Sequence, residues 1–198
     1  GKSSTEIVVS GETLTAKNVI IATGSNPRAL PGAEFDEKLI LSNHGALAIP
    51  EVPRRLGVIG AGVVGLEMGS VWKRLGSQVT ILEVLPNFLQ AADEQVAKEA
   101  LRVFTKVVGL DIRLGVKIGA VKTSKKGVVV EYADPKGEQK TEFDVLVVAV
   151  GRAPQSASLG AETVGLKLDS RGFIEVDDHC RTNLASVYAI GDVVRGPM

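Results

Sequence analysis

Gly60-Ala61-Gly62-Val63-Val64-Gly65 sets three glycines at the spacing GxGxxG, and a carboxylate, Glu83, follows 23 positions after the first of them. Those residue types at that spacing can bind a dinucleotide. The first glycine permits a tight turn, the second lets the backbone approach a pyrophosphate, and the third lets a helix pack closely on a strand. The N–H groups and positive dipole end of that helix then face the phosphates. An acid at Glu83 accepts hydrogen bonds from an adenosine ribose 2′-OH and repels a 2′-phosphate. Residues 84–97 hold no Arg or Lys, so a 2′-phosphate would meet a carboxylate with no neighbouring cation. NAD is expected over NADP. Glu67, seven positions after Gly60, is either a ligand-facing acid or simple compensation of the helix dipole.

The GxGxxG pattern has weight only where a strand leads into it and a helix leaves it. Residues 56–60 are apolar and end in glycine, which predicts a buried strand. Residues 63–75 show helical periodicity, with Gly76 as the stop. Residues 79–83 predict a second buried strand. Residues 94–108 predict one amphipathic helix with Val96, Ala100, Val103, Phe104 and Val107 on one side, and residues 111–114 a third strand. This β-α-β-α-β order argues for an α/β fold with a Rossmann-like parallel sheet and right-handed crossovers. Residues 118–123, 127–133 and 139–148 then alternate, separated by Lys125-Lys126-Gly127 and Asp134-Pro135-Lys136-Gly137. They predict an antiparallel three-stranded meander. Residues 145–150, apolar throughout, are expected to rejoin the parallel sheet.

The flanks read differently. Residues 5–22 predict short strands, the last of them (19–22) buried, broken sharply at Thr23-Gly24-Ser25-Asn26-Pro27. Ser42 caps a short predicted helix through Ile49, and Pro50 and Pro53 mark a linker. Beyond Gly151-Arg152-Ala153-Pro154, residues 174–177 and 187–190 predict strands of another unit. Lys+Arg and Asp+Glu both total 23, and the resulting zero net charge gives no field for nucleic acid or an anionic membrane. No apolar run approaches the ~18 residues of a membrane span, and the first residues hold no signal core. One cysteine, Cys180, and two distant histidines, His44 and His179, exclude an intrachain disulfide and a Cys/His zinc cluster, so no metal is expected and a reducing compartment is. The chain opens inside a β-rich pattern and stops just after a glycine-rich motif, which reads as a piece of a longer polypeptide.

The run Gly60 to Glu67, with Glu83 and the flanking Ala22-Thr23-Gly24 and Ala189-Ile190-Gly191-Asp192, resembles the pyridine nucleotide–disulfide oxidoreductases, and within them the dihydrolipoamide dehydrogenases. The motifs come in the family's order over nearly the whole chain. The resemblance implies an FAD-binding Rossmann-like domain interrupted by an NAD-binding one. Residues 1–50 would end the first FAD segment, 51–150 would form the NAD domain, and 151–198 would return to the FAD domain.

It also implies roles. Thr23-Gly24-Ser25 matches the flavin-side crossover, and Asp192 matches an aspartate that hydrogen-bonds the FAD ribityl chain; alone, Gly191-Asp192 would read as a turn. Met198 falls among the cofactor-side positions. Glu67 would lie beside nicotinamide and flavin. Val63 would cover the flavin when nicotinamide is absent, against the plainer reading of a helix-core valine. Gly151 and Ile118 would lie near bound NAD. Arg152 either helps hold two domains together or is a solvated charge. Gln155 replaces the Asn usual after Gly-Arg-x-Pro. Cys180 matches a structural segment and is expected to act as a small hydrophobe. The implied parent is a cytoplasmic or mitochondrial-matrix homodimer. It would oxidise the lipoyl domain of a 2-oxoacid dehydrogenase complex by thiol–disulfide exchange, passing electrons through FAD to NAD. Its dithiol pair would precede Gly1 and its His-Glu pair would follow Met198, so the fragment alone is expected to show little lipoamide activity and at most weak FAD retention. Alternatives are a transhydrogenase, an NADH oxidase or a mercuric reductase of the same family, or a non-catalytic NAD-binding module.

Overall fold

The computed structural model describes residues 5–196; Met198, expected on the cofactor side, lies outside them. In chain order the elements are β1 (Glu6–Val9), β2 (Glu12–Thr15), β3 (Val19–Ile21), β4 (Ser25–Pro27), β5 (Ile40–Leu41), α1 (Asn43–Leu47), β6 (Arg55–Ile59), α2 (Val63–Leu75) and β7 (Gln78–Leu82). Then follow α3 (Glu94–Arg102), β8 (Asp111–Arg113), β9 (Lys117–Ser124), β10 (Gly127–Asp134), β11 (Gly137–Phe143), β12 (Val145–Val148), β13 (Arg152–Pro154), α4 (Ala161–Val164) and β14 (Val187–Ala189). They divide into two compact units, 27–151 and 5–26 with 152–196. The first dividing point precedes the prolines at 50 and 53 because β5 hydrogen-bonds alongside β12, which ties residues 40–41 to the larger unit.

The larger unit is a three-layer stack. Its middle layer is a five-stranded parallel sheet in the order β5-β12-β6-β7-β8. Strand side chains alternate between faces. One set, including Leu56, Val58, Val79, Ile81 and Val147, packs against α2 and its neighbours through Leu66, Met68 and Trp72. The other set, Ile59, Leu82, Leu146 and Val148, packs against Val128, Val130, Tyr132 and Phe143 of the antiparallel sheet β11-β10-β9. Gly57 makes room for that second layer: a Cβ there would lie 2.6 Å from the Phe143 ring. The βαβαβ core, the meander and the return of residues 145–148 to the parallel sheet are thus as expected. Ser42 caps α1 by accepting from the His44 N–H at 3.1 Å, and Gly76 stops α2 in the left-handed region at φ 114°.

An ion pair closes the sheet's amino end. Asp144 accepts from the Arg55 backbone N–H at 2.8 Å and from its Nε and Nη2 at 3.2 and 2.8 Å, while the Asp144 N–H donates to the Arg55 carbonyl at 2.9 Å. Partial burial pushes the Asp144 carboxyl up, but the Arg55 side-chain and backbone bonds outweigh it and hold the group below its ordinary value.

Three expectations change. Residues 94–108 are not one α-helix: α3 passes at Val103–Val108 into a π-helical turn ended by Gly109 at φ 83°. Thr105 Oγ1 bonds back to the Leu101 carbonyl at 2.7 Å, the kind of side-chain competition that disturbs a helical ladder. The rotation of the packed face leaves Val96 and Val107 60% and 69% exposed, and Ala100, Leu101, Phe104 and Val108 make the contacts instead. Residues 174–177 form no strand. Ile174 makes single bridges to Leu168 and Val194, and Asp177 turns the chain by accepting from the N–H groups of His179 and Arg181. Strand β3 is not buried: among the described residues it pairs only with β14, and Ile20 is 64% exposed.

The smaller unit comprises the hairpin β1–β2, the parallel pair β3–β14 and a core of Ala161, Leu166, Ile174, Ala189 and Val193. No helix among the described residues is long and apolar enough to cross a membrane.

Candidate functional site

The sheet of the larger unit reverses its winding beside β6. From β6 the chain moves through α2 to β7 and then β8 on one side, and later places β12 on the other. In open parallel sheets the crevice at the strands' carboxyl ends, at this reversal, is where ligands bind. Gly60 follows β6, Glu83 follows β7, and Ala149 to Gly151 follow β12, so all reach that edge.

The three glycines have three distinct physical reasons. Gly60 has φ 105°, and a Cβ there would stand 2.4 Å from the Ala149 carbonyl oxygen. A Cβ on Gly65 would stand 2.0 Å from the Gly60 oxygen, so any larger residue would push α2 off β6. Gly62 has φ −73°, a backbone any residue adopts, and a Cβ there meets no protein atom within 4 Å. Nothing among the described residues requires Gly62 to be glycine.

That space faces the start of α2. Gly62 supplies no side-chain cap, the first turn holds no acid, and the first bond of the helix runs from Leu66 N–H to the Gly62 carbonyl at 3.0 Å. The N–H groups of Val63, Val64 and Gly65 therefore have no intrahelical acceptor. An anion with several oxygens satisfies such a set. Ala61 serves differently: its N–H donates to Glu83 Oε2 at 2.6 Å, so it shapes the turn through the acid. The Leu85 N–H donates to Glu83 Oε1 at 2.8 Å. Each oxygen of Glu83 thus accepts one backbone bond and keeps a lone-pair direction open. Spacing alone could not show this fixation of Glu83, because it depends on a turn at residues 83–85.

Val63 is no core residue: it opens α2 and is 65% exposed. Glu67, one turn further, is exposed and lies beyond the first helical turn, where dipole compensation fades. Val63 and Glu67 line a groove of about 600 Å³ along α2 with Val71, Arg74, Leu89 and Phe104. Ile118, on β9, lies two positions after Val116, whose N–H bonds the Glu83 carbonyl at 3.0 Å, and packs on the core of Leu82 and Val148. Gly151 takes φ 126° with open space around it.

The smaller unit brings together the other predicted positions. Ser25 Oγ donates to Asp192 Oδ2 at 2.7 Å. Arg152 donates from Nε to Ser25 Oγ at 2.6 Å and from Nη2 to the Ser25 carbonyl at 2.7 Å. Thr23 Oγ1 donates to the Gln155 carbonyl at 2.7 Å, and the Gln155 N–H donates to Gly24. Arg152 is accordingly a bonded residue and not a solvated charge. Cys180 is half-buried with φ 61°. Among the described residues no cluster of His, Cys, Asp or Glu could hold a metal ion.

Comparisons with known proteins converge on one family. A model of the pyridine nucleotide-disulphide oxidoreductase family matches residues 2–198. A dihydrolipoyl dehydrogenase of Cupriavidus necator is 58% identical, over 100% of this chain and 42% of that protein. One from Trypanosoma brucei brucei is 46% identical, over 94% of this chain and 40% of the relative. Among solved structures, LpdA from Mycobacterium tuberculosis superposes with a TM-score of 0.83 at 28% identity, over 96% of this chain and 41% of that one. The chain thus spans about two fifths of the length of the proteins it matches.

Proposed function

The chain belongs to the pyridine nucleotide-disulphide oxidoreductase family, and we propose that it is the NAD-binding portion, with parts of the FAD-binding portion, of a dihydrolipoyl dehydrogenase. Gly62 carries the reading. It is a glycine for which the fold has no use, beside an uncapped helix start that suits a diphosphate.

Bound NAD+ would supply the hydride acceptor, and FAD the two-electron carrier between a dithiol and that acceptor. The residues of this chain bind and orient. The amides of Val63, Val64 and Gly65 hold the diphosphate. Glu83, fixed by Ala61 and Leu85, accepts from the adenosine ribose and excludes a 2′-phosphate. Ile118 and Gly151 bound the nucleotide, and Glu67 and Val63 serve its nicotinamide end. In the smaller unit, Thr23-Gly24-Ser25 and Asp192 serve the flavin nucleotide; Asp192 Oδ1 accepts no protein hydrogen bond among the described residues and suits a sugar-chain hydroxyl. Residues 1–26 and 152–198 then belong to the FAD domain and 27–151 to the NAD domain. The parent is a homodimer acting on the lipoyl domain of a 2-oxoacid dehydrogenase complex. Its relatives include bacterial and mitochondrial proteins, consistent with the cytoplasm or the mitochondrial matrix.

Calorimetric titration of Glu83→Arg with NAD and NADP tests the site. The ratio of the two affinities should shift toward NADP by on the order of 100-fold, the effect of exchanging like-charge repulsion for attraction at one phosphate. An unchanged ratio in folded protein would refute the assignment.

A further inference from the structure

We propose that Ser25 is a positioning residue for Asp192: it holds one carboxylate oxygen so that the other is presented to a polyol hydroxyl of the flavin nucleotide. The inference rests on the reading of Asp192 given above, and it removes Ser25 from the set of direct ligands.

The hydrogen-bond inventory of Ser25 makes the case. A serine hydroxyl has one proton to donate. Here that proton goes to Asp192 Oδ2 at 2.7 Å. Ser25 Oγ in turn accepts from Arg152 Nε at 2.6 Å, and the Ser25 carbonyl accepts from Arg152 Nη2 at 2.7 Å. Ser25 therefore has no proton left for a ligand, and its rotamer is fixed from both sides. The Arg152 Nε lies 3.7 Å from Asp192 Oδ2, so the guanidinium stands behind the serine. Three segments far apart in sequence meet in this chain of contacts: the start of β4, the start of β13 and the turn after β14. Asp192 itself sits in a short 3-10 turn, half exposed, where an unrestrained side chain would sample several rotamers. Fixing the rotamer before binding removes an ordering cost from the binding step.

Full-length apo-protein titrated with FAD, followed by flavin fluorescence, tests the proposal. Ser25→Ala should weaken FAD binding about tenfold, the effect of losing one hydrogen bond to a charged group, and Ser25→Thr, which keeps the hydroxyl, should restore it to within about threefold. In an Asp192→Asn background, Ser25→Ala should add less than about twofold, because a residue acting only through Asp192 has nothing left to act on. Multiplicative losses in the double variant, or undiminished affinity in Ser25→Ala, would overturn the proposal. Should Ser25→Ala not fold, Ser25→Thr is compared with Ser25→Cys, a poor donor of similar size; equal affinities would overturn it as well. If Asp192→Asn alone binds FAD normally, the reading of Asp192 falls, an outcome distinct from failure of the serine's role.

Discussion

The two units solve the same problem, covering a parallel sheet, to different extents. In 27–151 five strands are covered on both faces, by helices on one side and the meander on the other, and Leu56, Val58, Ile81 and Leu146 reach zero exposure. Among the described residues of the smaller unit the parallel pair β3–β14 is two strands wide and leaves Ile20 and Ile190 exposed, and hairpin β1–β2 is exposed throughout. Parallel strands normally gain stability from burial on both faces. Among the described residues the larger unit buries its sheet on both faces, whereas the smaller one combines a modest core with hydrogen bonds such as those around Ser25.

Substitutions probe that contrast at several depths. Gly65→Val is expected to have the largest effect. Its side chain would enter the Gly60 carbonyl, costing more than ~4 kcal/mol as an overpacked backbone contact, seen as loss of the thermal transition by circular dichroism. Gly62→Val, three positions earlier, should leave that transition within ~1 kcal/mol yet abolish NAD binding; equal unfolding by both would erase the distinction between packing and ligand glycines. Asp144→Asn should come next, at ~1–2 kcal/mol near neutral pH, discounted because the carboxylate is one-third exposed. The Asp144 carboxyl lies below its ordinary value when folded, so its contribution is present above the unfolded value of about 3.9 and is lost as pH falls through the lower folded value. Urea unfolding read by the buried Trp72 should therefore show wild type and variant converging as pH falls below the ordinary carboxylate range; a gap of constant size would contradict the assignment. Ile20→Thr, in an exposed strand, should change stability by less than ~0.5 kcal/mol, and amides of β3 should exchange faster than those of β6. Protection of β3 equal to that of β6 would show the smaller unit to be as well closed as the larger.

The same contrast governs how far the sequence could be read. Where one strand face meets a known layer, periodicity and glycine spacing suffice: β6, α2, β7, the meander and the return of β12 were all legible. Burial at 19–22 was misread because an apolar run signals a covered strand regardless of whether neighbours cover it. The break at Val103 was hidden because a π-turn keeps helical composition, and Thr105 gives its back-bond only in three dimensions. At the site, the spacing of Gly60, Gly62, Gly65 and Glu83 was visible, but the bond from Ala61 to Glu83 and the contact of Ser25 with Asp192 cross 22 and 167 positions. No local pattern encodes such distances.

The Arg28 N–H donates to the Gly151 carbonyl at 2.9 Å, so the two ends of the larger unit lie side by side, a doorway in its own outline. A module whose two ends already touch can be cut out, or rejoined head to tail and reopened at another loop, without stretching its core. Such a doorway would let the module be grafted into a host loop as a cassette, carrying its glycine turn and Glu83 intact.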